Sequence, residues 1–179
     1  MGRPKIHLPL GGKTVLGLAI EAPLAAGLRV IVVGRPEDPL LESYAIEGRV
    51  VVARNPDPER GMLSTLRAAL AKLEAESFFF MPGDMPFVSP RTFTLLLERA
   101  RGAPAIPTCG GRRGHPVLLP SRLAPAILDL GEGASLRDFL DSAAPLFVET
   151  GDRGILNDID LPADYRRALD AVGSAETAS

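Results

Sequence analysis

Short apolar segments of strand type alternate along this chain with segments whose apolar residues recur at helical spacing. Between the second and third strand-type segments, for example, Leu63, Leu66, Leu70 and Leu73 trace one face of a helix. We expect the strand-type segments at residues 29–33, 49–53, 77–81, 103–107 and 146–149. This alternation predicts an α/β fold, a three-layer α/β/α sandwich with a mostly parallel sheet, in which ligands bind at the carboxyl ends of the strands.

The length of the chain, 179 residues, suits one domain with a substantial core. We assign residues 1–172 to a single domain and residues 173–179 to a disordered tail. The net charge of −2 and the lack of a polybasic tract argue against a nucleic-acid partner. No apolar run approaches the roughly 20 residues that cross a bilayer, and no secretion signal follows the first residues. A lone Cys109 excludes an intramolecular disulfide and a cysteine metal cage, so we expect a cytoplasmic protein with no membrane partner.

Asp84 is the most informative single residue, because it follows the apolar residues 77–81 in a loop bracketed by Pro82 and Pro86. A carboxylate at the end of a strand is well placed to hold a hard cation such as Mg²⁺. The alternative is an aspartate that closes a turn or caps a helix, and position alone favours that alternative.

A second acidic element, Asp158 and Asp160, precedes the last predicted helix. In an extended segment two carboxylates that are two residues apart point to the same side, as a shared cation requires. Taken alone, the element is better explained by Asp160 capping the helix that begins at Pro162, with Asp158 solvated.

Several basic and polar residues are candidates for binding anions. Lys5 could neutralise a triphosphate, and Gly61, Ser64 and Thr65 lie at a predicted helix start, where phosphates or base edges bind. Solvation of the lysine and ordinary capping are the alternatives. The glycine-bracketed loop with Arg112 and Arg113 suits a phosphate or a planar heterocycle, and a solvated, mobile loop is an equally good alternative. By their residue context alone, His7 and His115 are interpreted as structural, because neither has the acidic or cysteine neighbours of a zinc site.

Six motifs in order resemble the molybdenum cofactor cytidylyltransferases, which belong with the related guanylyltransferases to one nucleotidyltransferase superfamily. The resemblance covers nearly the whole chain and implies a Rossmann-like nucleotidyltransferase fold. The motifs are Met-Gly-Arg-Pro-Lys at residues 1–5, Leu-Pro-Leu-Gly-Gly-Lys-Thr-Val-Leu at 8–16, Asn-Pro-Asp at 55–57 with Gly-Met-Leu-Ser-Thr-Leu-Arg at 61–67, Pro-Gly-Asp-Met-Pro at 82–86, Gly-Gly-Arg-Arg-Gly-His-Pro-Val at 110–117, and Asp-Ile-Asp-Leu-Pro-Ala-Asp-Tyr at 158–165.

The resemblance implies transfer of CMP from CTP to a molybdopterin-type cofactor with release of pyrophosphate, and possible delivery to a molybdoenzyme or its chaperone. It assigns Mg²⁺ as the cofactor. By motif, the metal would be held by Asp84, Asp160 and Asp158, and the triphosphate by Arg3 and Lys5. The same carry-over assigns nucleotide binding to Asn55, Gly61, Ser64 and Thr65, and cofactor-substrate binding to Arg112, Arg113 and His115.

The sequence departs from the pattern of this family at two places. Family members begin with a strand and a glycine-rich loop that this sequence lacks, so the first strand and the phosphate cradle are expected to be missing. Either the start of the sequence is assigned too late, or the activity of this product is impaired. Leu161 stands where a threonine is expected before Pro162. Two alternatives therefore stay open: a transferase that uses GTP or a sugar phosphate, and a non-catalytic protein of the same fold that binds and carries the cofactor.

Overall fold

The computed structural model describes residues 4–131 and 133–176 of the chain. Within these residues the strands are β1 (Pro9–Leu10), β2 (Lys13–Thr14), β3 (Val30–Gly34), β4 (Val50–Arg54), β5 (Ser77–Phe80), β6 (Ala105–Cys109), β7 (Arg112–Arg113), β8 (Val117–Pro120) and β9 (Leu146–Glu149). The α-helices are α1 (Val15–Ala19), α2 (Glu21–Ala25), α3 (Met62–Leu70), α4 (Pro90–Ala100), α5 (Ala124–Leu128), α6 (Leu136–Ser142) and α7 (Pro162–Glu176). The predicted α/β class is confirmed.

The largest sheet is mixed, so the prediction of a mostly parallel sheet is wrong. Strand β8 pairs antiparallel with β5 and with β6, whereas β9 pairs parallel with β6. The reason lies in the connections. The chain between β6 and β8 contains no α-helix, and a connection without a crossover helix joins antiparallel neighbours. The longer connection from β6 to β9 passes through α5 and α6, which allows a parallel pair.

A separate parallel pair, β3 and β4, lies beside the helices of the N-terminal half. Five consecutive residue pairs are in register, from Val30 opposite Val50 to Gly34 opposite Arg54. Among the described residues, neither strand is hydrogen-bonded to the larger sheet.

The four-residue spacing of Leu16, Ile20 and Leu24 predicts a first helix that is capped by Thr14 and ends near Gly27. This helix is present but interrupted. Thr14 caps it as predicted, because its Oγ1 accepts a hydrogen bond from the backbone N–H of Gly17 at 2.9 Å. Helix α1 nevertheless ends at Ala19, four residues before Pro23. A proline ring clashes with the carbonyl four residues earlier and donates no hydrogen bond, which explains the break between α1 and α2.

Helix α4 begins where the sequence predicts, since Ser89 followed by Pro90 is typical of an N-cap and a first helical residue. Its packing fixes the loop that carries Asp84. Ser89 is the N-cap and Pro90 the first helical residue. Phe93 and Leu96 are fully buried, and the Phe93 ring meets Phe79 of β5 edge to face at 5.0 Å. Strand β5 and helix α4 are therefore held together, and the loop between them is short and rigidly anchored.

The last helix is longer than predicted. It continues to Glu176, so residues 173–176 are helical, whereas the sequence predicts a disordered tail from residue 173. Within this extension the Ser174 hydroxyl donates to the carbonyl of Asp170 one turn earlier, as helical serines can. The last three residues lie outside the described part of the chain. Over the described residues, none of the helices is long and apolar enough to cross a bilayer.

Candidate active site

Asp84 lies in the loop after β5, close to the carboxyl end of that strand, as the sequence predicts. The residue is only 9% exposed. Its Oδ2 is 2.5 Å from the Nζ of Lys5. Its Oδ1 is buried and has no hydrogen-bond partner in the described part of the chain. A buried carboxylate oxygen without a partner is unfavourable by roughly 1–3 kcal/mol or more, which marks the position as suited to a ligand.

The segment of Asp158 and Asp160 lies directly beside this loop. The backbone N–H of Ile159 donates to the carbonyl oxygen of Asp84 at 3.0 Å. Ile159 is 2% exposed, whereas the residues on either side of it are exposed. This alternation places both carboxylates on one side of the segment and confirms the geometry expected from their spacing.

Lys5 bridges the two acidic elements. Its Nζ contacts Asp160 as well as Asp84, and its side chain is 37% exposed. Partial burial lowers the pKa of Lys5, but hydrogen bonds to Asp160 and Asp84 outweigh that effect, so the pKa is raised. The ammonium therefore stays charged and lies between the two carboxylates.

The two carboxyl groups of the second element have pKa values shifted in opposite directions. Burial, a hydrogen bond with Asp160 and the nearby charges raise the pKa of Asp158. The Lys5 ammonium, followed by the hydrogen bond with Asp158, lowers the pKa of Asp160. Asp160 is therefore the more readily ionised of the two in the ligand-free protein.

The helix start after this segment is capped by another residue. The Oδ2 of Asp164 accepts hydrogen bonds from the backbone N–H groups of Asp160, at 3.1 Å, and Leu161, at 2.6 Å. The Asp160 side chain instead contacts Lys5. Of the two readings that the sequence leaves open for Asp160, the structure thus disfavours the helix cap.

The acidic cluster fits a divalent cation that also binds phosphate. A bare oxygen of Asp84 and the ionised Asp160 supply two hard oxygen ligands, which Mg²⁺ commonly combines with waters and phosphate oxygens. Among residues 4–131 and 133–176, no group of three or more acidic, histidine or cysteine side chains is arranged to hold a metal ion. The remaining ligands would therefore have to come from a bound substrate or water.

The residues predicted to bind a nucleotide are brought together, but most of their polar atoms already have partners. Asn55 is 2% exposed, and its Nδ2 donates to Ser64 Oγ at 2.9 Å and to Thr65 Oγ1 at 3.1 Å. Its Oδ1 accepts from the N–H of Asp57 at 3.0 Å. The Ser64 hydroxyl faces the carbonyl oxygens of Asp57 and Gly61 at 2.9 and 2.8 Å. Asn55 therefore holds the loop onto helix α3 and offers no free side-chain atom.

The start of α3 carries the part of this loop that a ligand could reach. Gly61 is the N-cap residue, with a φ of 76°, a conformation that favours glycine. No side chain caps this helix start. Backbone N–H groups at such an end bind anions, and the adjacent Met62 is half exposed.

The loop with Arg112 and Arg113 is a tight hairpin. Strand β7 pairs antiparallel with β6, with Gly110 and Gly111 at the turn. Glu149 anchors it, accepting from Thr108 Oγ1 at 2.8 Å and from the N–H of Gly110 at 3.0 Å.

The two arginines of this hairpin differ. Arg113 pairs with Asp141 at 2.5 Å, and its guanidinium lies 4.4 Å from the centre of the Phe147 ring. Arg112 is exposed. Arg112 is therefore the more available of the two for a ligand.

His115 lies between β7 and β8 and is close enough to the acidic cluster to interact with the charges of Asp84 and Asp158. Burial lowers its pKa, although a hydrogen bond to Phe80 and the charges of Asp84 and Asp158 act in the other direction. Its Nδ1 is 3.4 Å from the carbonyl oxygen of Phe80. A neutral imidazole near two carboxylates can donate or accept a hydrogen bond at a ligand. Arg3, the remaining predicted site residue, lies outside the described part of the chain.

Residues 1–146 match the family described as MobA-like NTP transferase domain. The chain belongs to this family. It is a nucleotidyltransferase by family. Among curated proteins, it is 28% identical over 166 residues to the molybdenum cofactor cytidylyltransferase of Escherichia coli, covering 92% of this chain and 86% of the relative.

Solved structures agree with the assignment. Rv0371c from Mycobacterium tuberculosis has a TM-score of 0.78 and 26% identity, with 95% of this chain and 90% of that chain covered. The manganese complex of Rv0371c has a TM-score of 0.77 and 27% identity, with 94% and 93% covered. A neighbouring protein of the same fold thus binds a divalent cation.

Proposed function

We propose that this protein transfers CMP from CTP to a molybdopterin-type molybdenum cofactor, with release of pyrophosphate. The observation that carries the proposal is the cluster of Lys5, Asp84 and Asp160, with the bare Oδ1 of Asp84 at its buried end. Support for the substrates comes from the relative in Escherichia coli, which is a molybdenum cofactor cytidylyltransferase. The six ordered sequence motifs point to the same reaction.

The nucleotide would bind between the start of α3 and the acidic cluster. The N–H groups after Gly61 suit an oxygen acceptor of the nucleotide, and the network of Asn55, Ser64 and Thr65 holds that loop in place. Lys5 would leave the carboxylates and meet the triphosphate, since its ammonium is a compact charge on a flexible stem.

A divalent cation, Mg²⁺ in this proposal, would be held by Asp84 and Asp160, with Asp158 beside them. When bound, it supplies charge neutralisation for the phosphates. The chain itself contributes orientation. The hydrogen bond from Ile159 to the Asp84 carbonyl keeps the two acidic elements at a fixed separation.

The cofactor substrate would approach from the hairpin side, where Arg112, Arg113 and His115 lie. The exposed Arg112 can pair with the terminal phosphate of the cofactor. In the reaction, an oxygen of that phosphate forms a bond to the α-phosphorus of CTP. The bond from the α-phosphorus to the bridging oxygen breaks, and its electron pair leaves with pyrophosphate. Positioning and charge stabilisation dominate this type of transfer, and these side chains can supply both.

Titration calorimetry of CTP and GTP in the presence of Mg²⁺ tests the proposal. We expect CTP to bind at least about tenfold more tightly than GTP, a difference of about 1.4 kcal/mol. Asp84→Ala should abolish the metal-dependent part of the affinity. Asp170→Ala is the matched control, because Asp170 is an exposed carboxylate on α7, and this variant should bind as the wild type does. Preference for GTP would favour a guanylyl-type transferase, and no binding of either nucleotide would favour the cofactor carrier.

A further inference from the structure

A chain of hydrogen bonds links four buried or half-buried side chains next to Lys5. His7 is 7% exposed. Its Nε2 lies 2.8 Å from Asp38 Oδ2, and its Nδ1 lies 2.9 Å from Tyr44 Oη. Tyr44 Oη is also 2.9 Å from Thr14 Oγ1, which accepts from the N–H of Gly17.

One assignment of protons satisfies every atom in this chain. Thr14 donates to Tyr44, Tyr44 donates to Nδ1 of His7, and Nε2 of His7 donates to the Asp38 carboxylate. The other oxygen of that carboxylate accepts from the N–H of Leu40 at 3.0 Å. Hydrogen bonds in such a chain point in one direction and polarise one another, which makes the arrangement rigid.

We propose that His7 is a positioning residue, which holds the turn Lys5–His7 so that the Lys5 ammonium reaches Asp84 and Asp160. The positioning of Lys5 by His7 does not depend on the proposed function, whereas the expected effect of His7 on nucleotide binding rests on it. His7 belongs to the same single turn as Lys5. That turn is closed by hydrogen bonds from His7 N to Pro4 O and from Leu8 N to Lys5 O, at 3.0 and 3.2 Å.

The surroundings of His7 explain why a polar residue suits this place. Tyr44 belongs to an apolar cluster with Leu16, Ile20 and Leu41. An apolar side chain in place of His7 would pack against this cluster, but apolar contacts do not fix its orientation. The His7 ring is held by hydrogen bonds at both nitrogens, so its orientation and position are fixed. The turn of Lys5 is thereby joined to the start of α1 and to the segment of Asp38.

His7 itself does not contact the ligand in this account. Both ring nitrogens have protein partners, and the ring is buried and stacks on Tyr44 at 5.9 Å. Any effect of His7 on the site therefore passes through Lys5. A positioning role therefore differs from a catalytic one in that the effects of substitutions at His7 and at Lys5 on ligand binding should not be additive.

Nuclear magnetic resonance of the Lys5 ammonium in the ligand-free protein tests the positioning directly. Only Lys5, Lys13 and Lys72 carry such groups, so the signals can be assigned by substitution. We expect the ¹⁵N relaxation of Lys5 to report an ordered ammonium in the wild type and a mobile one in His7→Leu. Tyr44→Phe keeps the ring and removes only the oxygen that binds His7, and it should also make the Lys5 ammonium mobile. This second variant tests the inference where His7→Leu folds poorly.

Thr108→Val is the matched control. It removes a half-buried hydrogen bond of similar geometry, from Thr108 Oγ1 on β6 to Glu149 at 2.8 Å. It should lower the unfolding free energy and leave the Lys5 ammonium ordered. An ammonium that stays ordered in both His7→Leu and Tyr44→Phe would overturn the inference.

A double-mutant cycle with Lys5→Met gives the consequence for binding. His7→Leu should weaken CTP binding about tenfold when Lys5 is present and less than about twofold in the Lys5→Met background. Additive effects would overturn the inference. If the wild type binds no CTP but the Lys5 ammonium still becomes mobile in His7→Leu, the proposed function fails and the positioning role stands.

Discussion

Replacement of Lys5 by methionine should have opposite effects on the two ligands of the site. In the ligand-free protein the ammonium lies between Asp84 and Asp160, where a divalent cation would bind. The cation and the ammonium therefore compete. Lys5→Met removes the competitor and leaves two neighbouring carboxylates without a counter-charge, so the affinity for Mn²⁺ should rise. The affinity for CTP should fall, because a positive charge that meets the triphosphate is lost.

The size of the effect follows from the exposure of the groups. A hydrogen bond to a charged group contributes about 1.5–3 kcal/mol in a protected site. The side chains of Lys5 and Asp160 are 37% and 59% exposed, so solvent reduces each contribution to about 1 kcal/mol. Removal of both contacts therefore favours Mn²⁺ by about 2 kcal/mol, or roughly 30-fold in affinity. One lost charge-assisted contact should weaken CTP binding about tenfold.

Titration of Mn²⁺ followed by electron paramagnetic resonance measures the free ion, and calorimetry measures CTP. Lys13→Met is the matched control, since Lys13 forms an ion pair with Glu21 and its loss changes the net charge equally. The control should leave both affinities within about twofold of the wild type. Equal or weaker Mn²⁺ binding by Lys5→Met would refute the competition between ammonium and metal.

Three further predictions concern the loops around the site. Asn55→Ala leaves buried partners unsatisfied and should lower the free energy of unfolding by about 2–3 kcal/mol, measured by urea denaturation; a loss below about 1 kcal/mol would contradict the network. Gly114→Ala places a Cβ 2.2 Å from the carbonyl oxygen of Ile155, so it should lower the melting temperature, whereas Gly131→Ala, with open space, should not. The side-chain bond from a threonine and the backbone bonds of the hairpin depress the pKa of Glu149 below its ordinary 4.5. The stabilisation that ionised Glu149 gives to the folded protein is present above its ordinary pKa of 4.5 and is lost as the pH falls through its lower pKa in the folded protein. Glu149→Gln should therefore flatten the acid loss of stability, and an unchanged acid profile would count against the anchor.

The sequence predicts where the acidic residues lie, because their placement depends on local rules. Asp84 follows a strand, and Asp158 and Asp160 alternate around a buried Ile159, so each element could be interpreted by itself. That these two acidic elements lie together could be predicted only from the motif resemblance, because no local rule joins residues so far apart in the sequence.

The sequence does not reveal which polar atoms are already used. Asn55 is predicted as a ligand-binding residue, yet its partners Ser64 and Thr65 complete its hydrogen bonds. His7 receives only a structural interpretation, since its partners Asp38 and Tyr44 are 31 and 37 residues away. Long-range pairing of polar side chains depends on how the segments pack.

The order of the sheet is also a long-range property, although one clue was available. The chain between Cys109 and Val117 has glycines and arginines but no helical pattern. A strand pair without a crossover helix is antiparallel, so this segment predicts a hairpin and with it an antiparallel pair in the sheet. Pro23 likewise argues from the sequence against a regular last turn of the first helix, and the helix breaks at Ala19.

Release of pyrophosphate tests the central claim most directly. The protein would be incubated with Mg²⁺, the molybdopterin-type cofactor and either CTP or GTP, and Asp84→Asn would be assayed alongside. The account predicts pyrophosphate with CTP that depends on the cofactor, little with GTP, and none with the variant. Release that favours GTP, or that persists in Asp84→Asn, would contradict it.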